Sequence, residues 1–120
     1  MKKIMVVDDD LEMREILKEI FLDQGYSISL ASNGKVALDM IYDKKEYDLV
    51  ITDINMPVMG GIELTKRIKS IDNKLPVLII TAFGDKESLG RKHGDGFLKK
   101  PFELTSIISM VDYLCKKEKA

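Results

Sequence analysis

The chain has 120 residues, 45% of them hydrophobic and 32% charged, with a net charge of −1. That length suits one domain with a real core, and the composition excludes a disordered chain. The near-neutral balance gives no support for a nucleic-acid surface, and the lysines at the C-terminus (Lys116, Lys117, Lys119) read as a solvated end.

Ile4-Met5-Val6-Val7 is a continuous apolar run suited to a strand buried on both faces. It is too brief for a signal peptide, and no stretch approaches a membrane span. Asp8, Asp9 and Asp10 follow, and then Met13, Ile16, Leu17, Ile20 and Phe21 repeat at helical spacing, with Gly25 as the stop. Ser27 to Ala31 is a weaker second strand, and Asn33-Gly34 marks a turn. Val36, Ala37, Met40 and Ile41 predict a second helix. Leu49 to Thr52 is a third strand ending at Asp53, followed by a loop to Gly61 and a helix from about Ile62 to Ser70. Val77 to Thr81 is the fourth strand, Asp85 to His93 a short helix, and Gly96 to Lys99 the fifth strand, stopped by Lys100-Pro101. Leu104, Ile107, Ile108, Val111 and Leu114 define the last helix. Cys115, the single cysteine, falls on its apolar face as a core thiol; with no internal disulfide possible, a reducing, cytoplasmic setting is expected.

Five strand-helix pairs with apolar strands predict an α/β fold, a parallel sheet covered by helices on both faces. In such a sheet, ligands bind outside the carboxyl ends of the strands. Asp8 and Asp9 end the first strand, Asp53 the third and Thr81 the fourth, and Lys100 follows the fifth. If the first and third strands are neighbours, their carboxylates converge and repel by several kcal/mol, which a raised pKa or a bound cation relieves. All-oxygen donors favour a hard ion, Mg2+, and no histidine or cysteine stands near to favour zinc. Taken singly, each residue has a plain structural reading. Asp10 reads as a helix cap, Asp53 as a turn residue, Thr81 as an ordinary strand threonine, and Lys100 as a solvated lysine before proline.

Together, Val6-Val7-Asp8-Asp9, Thr52-Asp53-Ile54-Asn55-Met56-Pro57, Ile80-Thr81-Ala82 and Lys99-Lys100-Pro101-Phe102 resemble the receiver domain of two-component response regulators, across Lys2 to about Lys117. The resemblance implies a flavodoxin-like sheet of order 2-1-3-4-5 with five flanking helices, in a single receiver domain over 1–120 with no output domain. It implies that Asp53 accepts a phosphoryl group, and that Asp8, Asp9, Asp53 and the backbone carbonyl of Asn55 hold Mg2+. Thr81 and Lys100 would contact the phosphoryl group, with Thr81 reorienting on activation, and Phe97 stands at the aromatic switch position, where a plain core role is the alternative. Ala82 would leave space for the donor. The implied partners are a sensor histidine kinase, docking near Met13, Leu17, Pro101 and Phe102, and a downstream target protein or histidine phosphotransferase. Nucleic acid and membrane are not implied, and a monomer is expected. Such a chain is no enzyme beyond catalysing its own aspartyl phosphorylation and dephosphorylation.

The chain also departs from that family. Thr81 and Lys100 are 19 positions apart, about three fewer than usual, nearly one helical turn. The glycine-rich Leu89-Gly90-Arg91-Lys92-His93-Gly94 therefore predicts a short or loosely ordered fourth helix, and His93 reads as a loop residue. Gly60 replaces a common aspartate, and Gly60-Gly61 predicts a mobile loop. Phe83 is bulky enough to shield an acyl phosphate. A haloacid-dehalogenase-type phosphatase would use Asp8 and Asp10, but Glu12 stands where that pattern needs threonine or valine. A flavin-binding module would need a phosphate cradle where Asp8-Asp9-Asp10 stands.

Overall fold

Alternation within each strand decides the layers. In the computed structural model, which describes residues 2–44, 46–82 and 87–116, the elements are β1 (Lys3–Val7), α1 (Leu11–Asp23), β2 (Ser27–Ala31), α2 (Gly34–Lys44), β3 (Leu49–Asp53), α3 (Gly61–Ile71), β4 (Val77–Thr81), α4 (Glu87–His93), β5 (Gly96–Lys99) and α5 (Leu104–Lys116). Phe83, Asp85, Lys117 and Lys119 lie outside the described residues. Ile4, Val6, Leu49, Ile51, Leu78 and Ile80 pack on one face with Leu17, Phe21, Ile107, Val111, Leu114 and Cys115 of α1 and α5. Met5, Val7, Val50, Val77 and Ile79 pack on the other face with Ala37, Leu38 and Ile41 of α2 and Leu64 and Ile68 of α3. Each of the larger side chains, fully buried, is stabilised by about 2 kcal/mol relative to exposure.

The sheet is parallel throughout, in order β2-β1-β3-β4-β5. β1 lies between β2 and β3, so the chain reverses direction across the sheet beside β1, and a crevice opens there at the strands' carboxyl ends. The register brings Val7 level with Thr52 and Thr81 level with Lys99, which puts Asp8, Asp53 and Lys100 along one rim.

Helix ends follow local chemistry. Asp10 caps α1, its carboxylate accepting the Glu12 N–H at 3.0 Å. At the other end the Gly25 N–H donates to the Leu22 carbonyl and the Tyr26 N–H to Phe21, with Gly25 at φ +91°. This is the left-handed stop that glycine permits. Asn33-Gly34 is a helix start instead of a tight turn. The Asn33 side chain accepts the Val36 N–H and its carbonyl accepts from Ala37, since capping and turn chemistry use the same residue.

Three apolar residues expected on inner faces are outside them: Ile16, Val36 and Leu104 are 42%, 40% and 55% exposed. They sit at the edges of stripes whose centres are covered. α4 is short, at 7 residues, and His93 forms part of its last turn instead of a loop. Cys115 is buried, and that burial pushes its thiol above the usual range.

Candidate functional site

Asp8 follows a strand with no exposed face and inherits its burial. It is 3% exposed. Its Oδ1 accepts the Asp10 N–H at 2.9 Å and its Oδ2 accepts from Lys100 Nζ at 3.2 Å. Burial pushes the Asp8 carboxyl above its usual range, against the pull of the Asp10 N–H and the Lys100 ammonium. Asp9, one residue on, is exposed.

Asp53 reaches the same point from β3. Its Oδ2 accepts from Lys100 Nζ at 3.1 Å, and its Oδ1 accepts the Ile54 N–H at 2.7 Å. One carboxylate oxygen from each of Asp8, Asp9 and Asp53 falls within a group less than 4.8 Å across. Lys100 is brought there by β5, its N–H donating to the Thr81 carbonyl at 2.8 Å; the Lys100-Pro101 peptide is cis. Burial alone would lower the Lys100 pKa, but Asp53 and Asp8 outweigh it and hold the ammonium above its usual value. Thr81 is fully buried, and its hydroxyl has no hydrogen-bond partner among the described residues. A buried, unanswered hydroxyl is costly and marks a place where an incoming acceptor would be welcome.

The loop after Asp53 folds back against β3. A Cβ on Gly61 would lie 1.9 Å from the Asp53 carbonyl oxygen, and one on Gly60 would lie 2.8 Å from the Ile54 carbonyl oxygen. The glycine pair therefore permits close backbone approach, fastened by the Gly61 N–H to the Ile54 carbonyl at 2.9 Å. Mobility is not what their geometry requires. Asp9, Ile54, Asn55, Met56, Pro57 and Gly60 line a shallow recess that reaches the carboxylate cluster through Asp9.

Phe97 is half-buried against the core. Its ring fills the space left by Gly90, where a Cβ would come within 2.5 Å, and the Arg91 guanidinium lies 4.7 Å from the ring centroid. Ala82, beside Thr81, is exposed. The structure thus brings together Asp8, Asp9, Asp53 and Lys100, with Thr81 on the adjoining strand. His93 stands apart on α4. Sequence reasoning missed Arg14, whose guanidinium donates to the Asp8 carbonyl at 2.7 Å. The available signal was its place one turn into α1, from which side chains lean back toward the helix start.

The response regulator receiver domain model matches residues 4–112. The chain belongs to that family. As a receiver domain of the two-component response regulators, it is 39% identical to sporulation initiation phosphotransferase F of Bacillus subtilis, over 88% of this chain and 87% of that protein. It is 33% identical to the response regulator MprA of Mycolicibacterium vanbaalenii, over 96% of this chain but 51% of that protein. The chain thus spans about half the length of several curated relatives. Among solved structures, response regulator protein TrrA of Thermotoga maritima, in complex with Mg2+-BeF, superposes with a TM-score of 0.89 at 36% identity, covering 95% of this receiver and 99% of that chain. Chemotaxis protein CheY4 of Vibrio cholerae gives 0.86 at 28% identity, covering 95% and 98%. Receiver domains are generally not classical enzymes. No helix among the described residues is long and apolar enough to cross a membrane.

Proposed function

We propose that this receiver takes a phosphoryl group from the phosphohistidine of a sensor histidine kinase onto Asp53, and then passes it to a histidine phosphotransferase. The observation that carries the reading is the convergence of Asp8, Asp9 and Asp53, with Lys100 as the one cation paired with the Asp8 and Asp53 carboxylates among the described residues. The donor set is all oxygen, carries surplus negative charge and opens onto a recess, which fits Mg2+. Asp8, Asp9 and Asp53 would hold the ion with the backbone carbonyl of Asn55. When bound, Mg2+ neutralises charge on the transferring phosphoryl group.

The chain's own residues do the rest. An Asp53 carboxylate oxygen attacks phosphorus as the phosphorus–nitrogen bond of the donor breaks, and the bonding electrons return to the imidazole. Lys100, already at hydrogen-bond distance from Asp53, pairs with a phosphoryl oxygen. The Thr81 hydroxyl, without a partner among the described residues, donates to another. That inward pull opens room for Phe97 to turn, which couples a local charge to the α4–β5 surface. The phosphorelay reading is favoured over target binding by a relative of nearly the same length that bears the name phosphotransferase; neither reading needs nucleic acid, a membrane or a dimer.

Incubation with acetyl phosphate and Mg2+, followed by intact-mass measurement, should add one phosphate to the natural chain and none to Asp53→Asn. Equal labelling of both chains would remove Asp53 as the acceptor.

A further inference from the structure

Between β1 and α1 the backbones of Asp8 and Asp10 are held at both the N–H and the carbonyl. The Asp8 N–H donates to the Ala31 carbonyl, the Asp10 N–H to the Asp8 carboxylate, and the Arg14 N–H to the Asp10 carbonyl. The carbonyl of Asp8 is held by a side chain instead, Arg14 Nη1 at 2.7 Å. Arg14 is half-buried, and it forms no ion pair among the described residues although it lies beside a carboxylate-rich rim. A charged donor on a neutral carbonyl makes a short, strong bond. Here it fixes the plane of the peptide joining Asp8 to Asp9.

That peptide carries two of the three clustered carboxylates. The Asp8 side chain has its own anchors, Asp10 N–H and Lys100. Asp9 is exposed, so its direction follows from the backbone that presents it. We propose that Arg14 is a positioning residue for divalent-cation binding, holding the Asp8–Asp9 peptide so that both carboxylates face one ion. The proposal rests on the Mg2+ site put forward above. Groups that orient a ligand without touching the metal commonly contribute about 10–100-fold to affinity.

The sign of the effect separates position from charge. If Arg14 acted only through its charge, removing it would tighten Mg2+ binding, because a neighbouring cation repels the ion. If it acts by position, removing it weakens binding despite the lost repulsion. Titration calorimetry of Mg2+ into the unphosphorylated chain reads this directly. Arg14→Met, which keeps the stem and loses the donors, should weaken Mg2+ about tenfold. Arg14→Lys, which can still donate to the carbonyl, should recover most of that loss.

Acetyl phosphate labelling should then need about tenfold more Mg2+ in Arg14→Met while reaching nearly the natural rate at saturation, as expected for lost binding without lost chemistry. Unchanged or tighter binding in Arg14→Met, with the natural chain binding normally, overturns the proposal and leaves the metal site standing. So does equal weakening in Arg14→Met and Arg14→Lys with a matching fall in unfolding temperature, which would make Arg14 a purely structural contact. A natural chain that takes up no Mg2+ overturns the metal site and this proposal together.

Discussion

The two rims of the sheet are built from similar residues and treat them oppositely. Where the strands begin, charges are answered locally. The Lys3 N–H donates to Asp48 at 2.8 Å, and the Lys3 ammonium pairs with Glu46. Asp95 accepts from Lys69 Nζ at 2.6 Å and from the Val77 N–H at 2.8 Å with the same oxygen. The Tyr26 hydroxyl donates to Asp112 at 2.6 Å. Where the strands end, Asp8 and Asp53 share Lys100, Asp9 joins their cluster, and the Thr81 hydroxyl is left without a described partner. One rim spends its polar groups on holding the fold. The other keeps a surplus of charge and an unmet hydrogen bond for something that arrives from outside, which is the local inconsistency expected at a functional site. Changes at the first rim should therefore lower stability, and neutralising the second should not.

The largest effect is expected at Asp95. Its N–H donates to the Val77 carbonyl while its carboxylate accepts the Val77 N–H, so it closes a two-way link between the starts of β4 and β5. Asp95→Ala leaves the Val77 N–H without its acceptor, while the Lys69 ammonium keeps the Leu75 carbonyl. The ion pair is about a quarter to a third exposed and contributes little by itself, so most of the expected loss, about 2 kcal/mol, belongs to the orphaned backbone group. Urea denaturation measures it, and a loss near zero would remove the claim that this rim is held by its polar pairs.

A somewhat smaller loss is expected at Tyr26, and its pH dependence sharpens the contrast. Burial, and then the bond to Asp112, hold the Tyr26 phenol above its usual pKa. The folded chain thus keeps this proton more tightly than the unfolded one. The stabilisation is fully present below the unfolded tyrosine value of about 10 and is lost as pH rises through the higher folded value. Tyr26→Phe should cost about 1.5 kcal/mol near neutral pH, and the gap to the natural chain should narrow above pH about 10. A gap that stays constant into alkali would mean that the phenol proton takes no part.

Much of this architecture was legible in the chain. Ile4–Val7, Leu49–Thr52 and Val77–Thr81 are continuous apolar runs because their sheet is covered on both faces, and a run of that kind has few other homes. Asp8 and Asp53 were legible because each follows such a run directly, so the end of the apolar stretch locates the carboxylate. Residues whose roles depend on approach between distant segments were not legible. Gly61 read as a source of looseness, yet its value lies in the Asp53 carbonyl it lets near. Arg14 drew no reading from the sequence, since no periodicity says which carbonyl a side chain reaches. Leu104 and Val36 fitted helical spacing, but spacing gives a stripe's centre better than its edges.

The smallest change has the opposite sign, and it isolates what the charged rim is for. Asp8 is almost wholly buried, and that burial disfavours its charge and pushes its pKa up. Asp8→Asn keeps an oxygen for the Asp10 N–H and leaves Lys100 its contact with Asp53. It removes one desolvated negative charge from a crowded group. In metal-free buffer the variant should be more stable than the natural chain by about 1 kcal/mol, because a buried charge is seldom fully repaid by its partner. Adding Mg2+ should raise the unfolding temperature of the natural chain, since an ion that binds only the folded state stabilises it by mass action. The same addition should barely move Asp8→Asn. Thermal melts with and without Mg2+ therefore give four curves, with the natural chain lowest without metal and Asp8→Asn nearly the same in both buffers. If Asp8→Asn were less stable than the natural chain without metal, the carboxylate would belong to the fold, and the contrast between the two rims would lose its basis.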